Sequence, residues 1–324
     1  MKSTARLLLF VALGAALCVQ AAAAADTTPI RLIVPFAPGG SADQIARLVG
    51  AGMAQRLGTP VLVENKAGAG GVLAADHVAK SAPDGKTFLI GSNGPLVINK
   101  GIYAKLPYDP ARDLVPVVGL AETPLMLLVR REGGVGSVAE LLGRARSRRD
   151  APPPMGSAGS GNITHLAGFY LSRQIGFVPQ HVPYKGSAPA ITALLGGEIE
   201  IMYDALPSSL QHAKANGRLQ ALAITSSKRL PALPDTPTFK ELGFDVGKVT
   251  AWFGIAAPAR TKADEIKRVN AAANAVLADP AVRERLVAIG FEAMGGSPGD
   301  FQAVIQAEMK RWIPLAKSLN VAAD

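Results

Sequence analysis

The stretch Val34-Pro35-Phe36-Ala37-Pro38-Gly39-Gly40-Ser41-Ala42-Asp43 constrains the fold more than any other part of the chain. Residues 30–34 before it are apolar except for Arg31 and read as a strand. After it, apolar residues recur at Ile45, Leu48, Val49, Met53 and Leu57, a helical spacing. Ser41 opens that helix, and serine is a favoured N-cap. A Gly-rich turn that delivers a helix N-terminus presents free backbone N–H groups and the positive end of a helix dipole, which suits an anion. The same turn also meets a purely geometric need, since a tight strand-to-helix connection uses glycine for φ > 0 and binds nothing.

The pattern repeats. Residues 60–65 read as a strand, 66–71 as a loop, 72–80 as a helix, 83–86 as a turn and 87–90 as a third strand. This β-α-β-α-β order implies a parallel sheet with right-handed crossovers. Gly91-Ser92-Asn93-Gly94 follows the third strand, at the carboxyl end where open α/β sheets bind ligands. Two apolar runs, 114–120 and 125–129, flank Ala121-Glu122-Thr123-Pro124. A helix over 138–146 precedes the break Ala151-Pro152-Pro153-Pro154. A second Gly/Ser loop, 156–162, and a third, 183–187, each open a helix, the latter with Ser187 as its cap. Residues 177–182, 198–204 and 219–225 read as strands, and 207–216 as a helix. After a rigid linker, 233–238, come a strand over 249–256 and helices over 263–277, 281–289 and 298–319, the last expected to kink at Pro314.

The chain thus leaves a first domain, builds a second, and returns. The expected fold is α/β with two domains, each a mainly parallel sheet flanked by helices, joined by a two-strand hinge. Domain 1 comprises 26–122 and 249–324, and domain 2 comprises 123–248.

Residues 1–25 read as a secretory signal. Lys2 and Arg6 are basic, 7–19 are apolar, and small residues precede a cleavage expected after Ala25. The single cysteine, Cys18, lies inside that segment, so the exported chain would have no disulfide, which fits a bacterial periplasm. Removing Lys2 and Arg6 takes the formal charge from +9 to +7. Apart from Arg144, Arg146, Arg148 and Arg149 the basic residues are scattered, which argues against nucleic acid and leaves a general attraction for anions.

Several chemistries fail on spacing. Gly85-Lys86-Thr87 has Lys80 where a phosphate-binding loop needs glycine, and Gly68-Ala69-Gly70-Gly71-Val72-Leu73 ends in leucine where a dinucleotide fingerprint needs glycine. Ser157 and Ser160 lack the glycine two residues earlier that a hydrolase elbow requires. His77, His165, His181 and His212 are far apart in sequence, and no metal or cofactor is expected. Glu64 and Asp204, at strand ends, suit acid/base work or the capping of turns. Three helix-opening loops remain. If the halves face each other, their N–H donors converge on a cleft that takes a small organic anion. Asp43 would repel such an anion unless it turns aside to bond loop backbone; otherwise it meets a cationic group on the cargo.

These residues resemble the Bug-type extracytoplasmic receptors of the tripartite tricarboxylate transporters, over nearly the whole exported chain. The resemblance rests on ordered motifs. The first is Val34-Pro35-Phe36 with Pro38-Gly39-Gly40, Asp43 and Ala46-Arg47, and the second Glu64-Asn65-Lys66 with Gly68-Ala69-Gly70-Gly71. Gly156-Ser157 with Gly159, Gly161 and His165-Leu166-Ala167-Gly168 follows. Val182-Pro183-Tyr184-Lys185-Gly186 with Leu194-Leu195-Gly196-Gly197 comes next, then Glu241-Leu242-Gly243 and Trp252-Phe253-Gly254. Phe169 departs from the family's usual Glu, and Arg260 lies in a loop that also departs.

The resemblance implies a periplasmic-binding-protein (Venus flytrap) fold that closes on a carboxylated metabolite and delivers it to integral-membrane transporter subunits, as a monomer and without catalysis. A periplasmic sensor domain is the alternative partner, and an exported hydrolase around Ser157, His165 or Asp204 the alternative activity. Ligand contacts are expected from Phe36, Ala37, Gly39, Gly40, Ser41, Asp43, Ser92 and Asn93 on one side. Ser157, Gly161, Asn162, Tyr184 and Asp204 are expected on the other.

Overall fold

The computed structural model describes residues 28–148, 150–319 and 321; the expected signal segment and Cys18 lie outside the described residues. Strand β1 (Ile30–Val34) is central to the first half, all its side chains buried but that of Arg31. It pairs in parallel with β2 (Val61–Asn65) and β3 (Thr87–Ser92). Helices α1 (Ser41–Leu57) and α2 (Val72–Ala79) make the two crossovers. Helix α1 buries Ile45, Val49 and Met53, and Gly58 ends it in the left-handed conformation, φ +60°.

Where the sequence reads as a loop after β3, the chain is helical. A π turn (Gly94–Ile98) runs into the short α3 (Asn99–Ile102). The two apolar runs of 114–129 form one strand, β4 (Leu114–Arg130). Its prolines sit where a missing N–H matters least. Pro116 adjoins a register shift, and Pro124 marks a change of partners. Before Pro124, β4 pairs antiparallel with β9 (Thr250–Pro258), which also pairs with β3. Beyond Pro124 it pairs antiparallel with β7 (Ile201–Ala205) and β8 (Leu219–Ile224). The second half continues in parallel from β7 to β5 (Pro154–Ser157) and β6 (Gln180–Pro183). Its helices are α4 (Val138–Ser147), α5 (Ile163–Ile175), α6 (Ser187–Gly196) and α7 (Leu206–Ala213).

The chain then returns through β9 to α8 (Ala263–Leu277), α9 (Pro280–Ile289) and α10 (Pro298–Ser318), with Pro314 inside the last helix. A short strand that the sequence did not announce, β10 (Glu292–Gly295), pairs with β4 on the first-half side. The fold is therefore the two-domain α/β architecture, with one difference in detail. The parallel strands of each half are joined through antiparallel partners, and β4 is common to both halves. Thr225 ties the two crossing segments together. Its Oγ1 accepts the Leu125 N–H at 2.9 Å and donates to the Val249 carbonyl at 2.6 Å.

Candidate functional site

The opening loop meets the second half directly. The Ala37 N–H donates to the Lys185 carbonyl at 2.9 Å. Ser41 is not the cap of α1. Gly40 is the N-cap, with no side-chain capping bond, and Ser41 is the first helical residue. Its hydroxyl reaches across instead: Ser41 Oγ lies 3.1 Å from Ser208 Oγ and accepts the Ser208 N–H at 3.2 Å. Ser187 is displaced in the same way. Gly186, at φ +140°, caps α6, and Ser187 Oγ donates to Asp204 Oδ1 at 2.6 Å. In both loops a glycine does the turning, which frees the serine that follows for a longer reach.

Four helix N-termini converge. Ser41 and Ala42 of α1, Ile163 and Thr164 of α5, Ser187 of α6 and Ala205, the N-cap of α7, line one small cavity of about 30 Å³ between the halves. Among the described residues the first N–H groups of α1, those of Ser41 and Ala42, have no bonded acceptor. Neither has the Ile163 N–H. That is the ordinary condition of a helix start, and each start also carries about half a positive charge. Ser92 adds a side chain. It is 3% exposed, lines the cavity, and its Oγ has no hydrogen-bond partner. A buried hydroxyl without a partner carries a desolvation cost that a ligand oxygen would remove.

Of the thirteen expected contacts, Phe36, Gly40, Ser41, Ser92, Asn93 and Asn162 line this cavity. Besides Ser41, which is bonded to Ser208, two of these have occupied side chains. Asn93 accepts the Trp252 N–H at 3.0 Å, and its amide donates to the Thr250 carbonyl and to Glu308 Oε2. Glu308, on α10, also takes both indole N–H groups, of Trp252 at 3.2 Å and Trp312 at 2.8 Å. Asn162 caps α5, its Oδ1 accepting the Thr164 N–H at 2.9 Å. Ala37 and Gly39 support the loop; the Gly39 N–H donates to Asp43 at 3.1 Å. Ser157, Gly161, Tyr184 and Asp204 are near the cavity but do not line it. Ala251 and Phe253, from the hinge strand β9, form part of its wall. Phe253 belongs to the Trp252-Phe253-Gly254 motif, which gave it no expected role in binding, and nothing in the sequence separates Ala251 from an ordinary core residue.

Asp43 turns aside. Its carboxylate takes two bonds from Arg47, both 2.9 Å, one from Asn65 at 3.0 Å and the Gly39 N–H. Burial works to raise its pKa, but the bonds from Arg47, Gly39 and Asn65 outweigh it and hold the carboxyl below its ordinary range. Asp204 is wholly buried, and among the described residues no cation pairs with it. It accepts from Ser187, Ser208 and Ser209, and burial pushes its pKa up against those bonds.

Behind the second loop lie two histidines. Ser157 Oγ is 2.7 Å from His181 Nε2, and His181 stacks on His165 with ring centres 3.6 Å apart. His165 Nδ1 accepts the Gly161 N–H at 3.2 Å. Burial, then the neighbouring His181, lowers the pKa of His165 to about 3; burial alone lowers that of His181 to about 4. Ser157 is fully buried and also accepts the Gly159 N–H. The pair therefore shapes the loop from behind and offers no exposed nucleophile. Among the described residues no three His, Cys, Asp or Glu side chains gather as metal ligands, and no helix is long and apolar enough to cross a membrane.

A family model described as "Tripartite tricarboxylate transporter family receptor" matches residues 45–321. The chain is 36% identical to protein BugT of Bordetella pertussis over 300 residues, 91% of each chain. It also resembles a solved Rhodopseudomonas palustris structure with adipate (36% identity, TM-score 0.86, covering 92% of this chain and 99% of that one). A second, MatC from Rhodopseudomonas palustris with bound malate, matches at 34% identity and TM-score 0.84, covering 89% of this chain and 98% of that one.

Proposed function

The chain belongs to the receptor family of the tripartite tricarboxylate transporters, and from that premise we propose that it captures a small dicarboxylate between its halves and hands it to membrane transporter subunits. It acts in the periplasm, as a monomer and without catalysis, with residues 26–122 and 249–324 as one domain and 123–248 as the other. The observation that carries this reading is the convergence of four helix N-termini and the unpartnered Ser92 hydroxyl on one cavity. Backbone N–H groups and a hydroxyl are donors, and a carboxylate is the acceptor that needs them. The adipate and malate held by two similar proteins are both dicarboxylates, which supports the same class here.

The enclosed space of about 30 Å³ is on the scale of a water or two, enough for one carboxylate group. The carbon body and second carboxylate of a cargo require the halves to part about the hinge and re-close around it.

Thermal unfolding of ligand-free, refolded protein tests the proposal. Adipate, malate and citrate are added in turn, each up to about 100 times its Kd. Specific binding of any one stabilises by about 2.7 kcal/mol. Replacing Ser92 by alanine does not lower the unliganded unfolding temperature, since the hydroxyl has no bond to lose, and weakens binding about tenfold, the value of one hydrogen bond to a charged group. Failure of a broad panel of di- and tricarboxylates to raise the unfolding temperature would overturn the carboxylate reading.

A further inference from the structure

A second cavity, of about 280 Å³, lies at the pole of the second half away from the cleft. Strand β7 spans the two places. Ile201, at its start, lines the polar cavity, and Ala205, at its end, lines the cleft. Four residue steps at about 3.3 Å put them roughly 13 Å apart along the strand.

Three guanidinium groups line this second cavity, from Arg130 at the end of β4 and from Arg144 and Arg148 on and just after α4. They are held differently. Arg144 donates to the carbonyls of Gly133 at 3.0 Å and Gly134 at 3.4 Å, which fixes its head. Arg148 pairs with Glu200, which removes the one acidic side chain of the lining. Arg130 has no hydrogen-bond or ion-pair partner among the described residues. Its guanidinium lies against Gly197, where an added Cβ would come 3.0 Å from Nη1. A side chain at residue 197 would press on that head.

The charges decide what such a cavity attracts. Three arginines and one glutamate line it, a formal +2. Helices α4 and α6 end nearby and each contributes about −0.5 at its carbonyl end, too little to cancel the arginines. Val129, Leu141 and Ile199 supply an apolar wall that weakens competition from water.

We propose that this cavity is a second binding site, for a small organic dianion with an oxyanion head, and that Arg130 grips that head with its free fork. A phosphate monoester and a dicarboxylate share this chemistry, and the planar guanidinium suits both. The site is independent of the cleft, so neither proposal depends on the other.

Calorimetric titration of the protein with methyl phosphate and, separately, with succinate at constant ionic strength provides the test. Wild type, Arg130→Gln, Arg130→Lys and Ser92→Ala are compared. The expected result is a saturable event that Arg130→Gln weakens about tenfold or more. Arg130→Lys, which keeps the charge without the fork, weakens it less, and Ser92→Ala leaves it unchanged. An Arg130-dependent event with methyl phosphate alone marks a phosphate site, and one with succinate alone a carboxylate site; both support the proposal, whereas a succinate event lowered only by Ser92→Ala belongs to the cleft. Arg130→Gln keeps the wild-type unfolding temperature and cleft affinity, because Arg130 has no bond to lose and does not touch the cleft. If Arg130→Gln does not fold, Arg130→Lys still carries the test. No saturable binding by either probe, or no saturable event that depends on Arg130, would overturn it.

Discussion

Asp43 in the first half and Asp204 in the second are both buried beside helix N-termini that line the same cavity, yet their charges are managed in opposite ways. Asp43 stays ionised and is matched by Arg47, with Asn65 and Gly39 filling its remaining acceptor positions. Asp204 receives three serine hydroxyls and no cation, and its burial resists ionisation. The reason is electrostatic. A helix start offers about half a positive charge, and a full unmatched negative charge beside it would cancel the attraction for an anion. One half matches its aspartate with a cation; the other opposes ionisation of its aspartate by burial. Asp204 has a further consequence. Ser208 Oγ donates to Asp204 and lies 3.1 Å from Ser41 Oγ, so the buried acid of one half braces the contact with the other.

The halves agree where they touch. Gly70 (φ +58°) lies beneath the Ser160 carbonyl, and Gly161 (φ +82°) lies against the Asn99 side chain. A Cβ at either position would collide with the opposite half and strain the backbone. Gly70→Ala and Gly161→Ala therefore oppose closure, and cargo affinity falls more than 100-fold, about 3 kcal/mol. Gly143, exposed on α4 with no atom near its Cβ position, is the control; Gly143→Ala leaves affinity unchanged. Titration calorimetry reads all three. Wild-type affinity in Gly70→Ala would mean that the halves need not meet to hold cargo.

The two aspartates provide the next largest effect, and its sign differs between them. Asp43 has a folded pKa below the unfolded value of about 3.9, so its bonds stabilise above that pH and are lost as pH falls through the folded pKa. Asp43→Asn costs about 1–3 kcal/mol at pH 7 and progressively less in acid. Asp204 has a raised folded pKa. Its penalty is absent below pH of about 4 and grows as pH rises toward that folded value. Asp204→Asn thus loses stability most in acid and recovers relative to wild type as pH rises. Urea unfolding from pH 3 to 8 compares the two slopes. Slopes of the same sign would mean that both acids are handled alike.

Much of this arrangement is legible in the sequence, and the rest fails for identifiable reasons. The β-α-β-α-β order, the glycine turns and the second crossing follow from local pattern, and they place Phe36, Gly40, Ser41, Ser92, Asn93 and Asn162 at the cavity. The continuity of β4 does not, because Pro124 reads as a break until its neighbours β7, β8 and β9 supply the change of partners. Ser41 and Ser187 read as N-caps because serine favours that position, but glycines one residue earlier take it. The direction of Asp43 required Arg47 one helical turn on and Asn65 from another strand. The first lies at a recognisable spacing; the second is tertiary. Ala251 carries no signal of its own, and Phe253 stands in a recognised motif that says nothing of its facing a cavity, because an apolar strand residue reads as core until the opposite half is in place.

The smallest expected effect lies behind the second loop at Phe169, where the resemblance leads one to expect glutamate. Its ring packs edge-on against His165 at 5.4 Å and His181 at 6.2 Å. With no carboxylate paired to either ring among the described residues, burial, and for His165 also the neighbouring His181, holds their pKa values at about 3 and 4, against an unfolded value near 6.5. The unfolded chain binds protons first, so the protein loses stability as pH falls below about 6.5. Phe169→Glu sets a carboxylate against the stacked rings and raises both folded values. The acid loss between pH 6.5 and 4.5 then becomes shallower, while stability at pH 7.5 falls through the cost of burying the new charge. Urea midpoints across that range, with ring-proton titration of His165 and His181 by NMR, read both changes. An unaltered acid slope in Phe169→Glu would remove the histidine stack as its origin. Asp204 could not take its place, because a raised folded pKa gives a slope of the opposite sign.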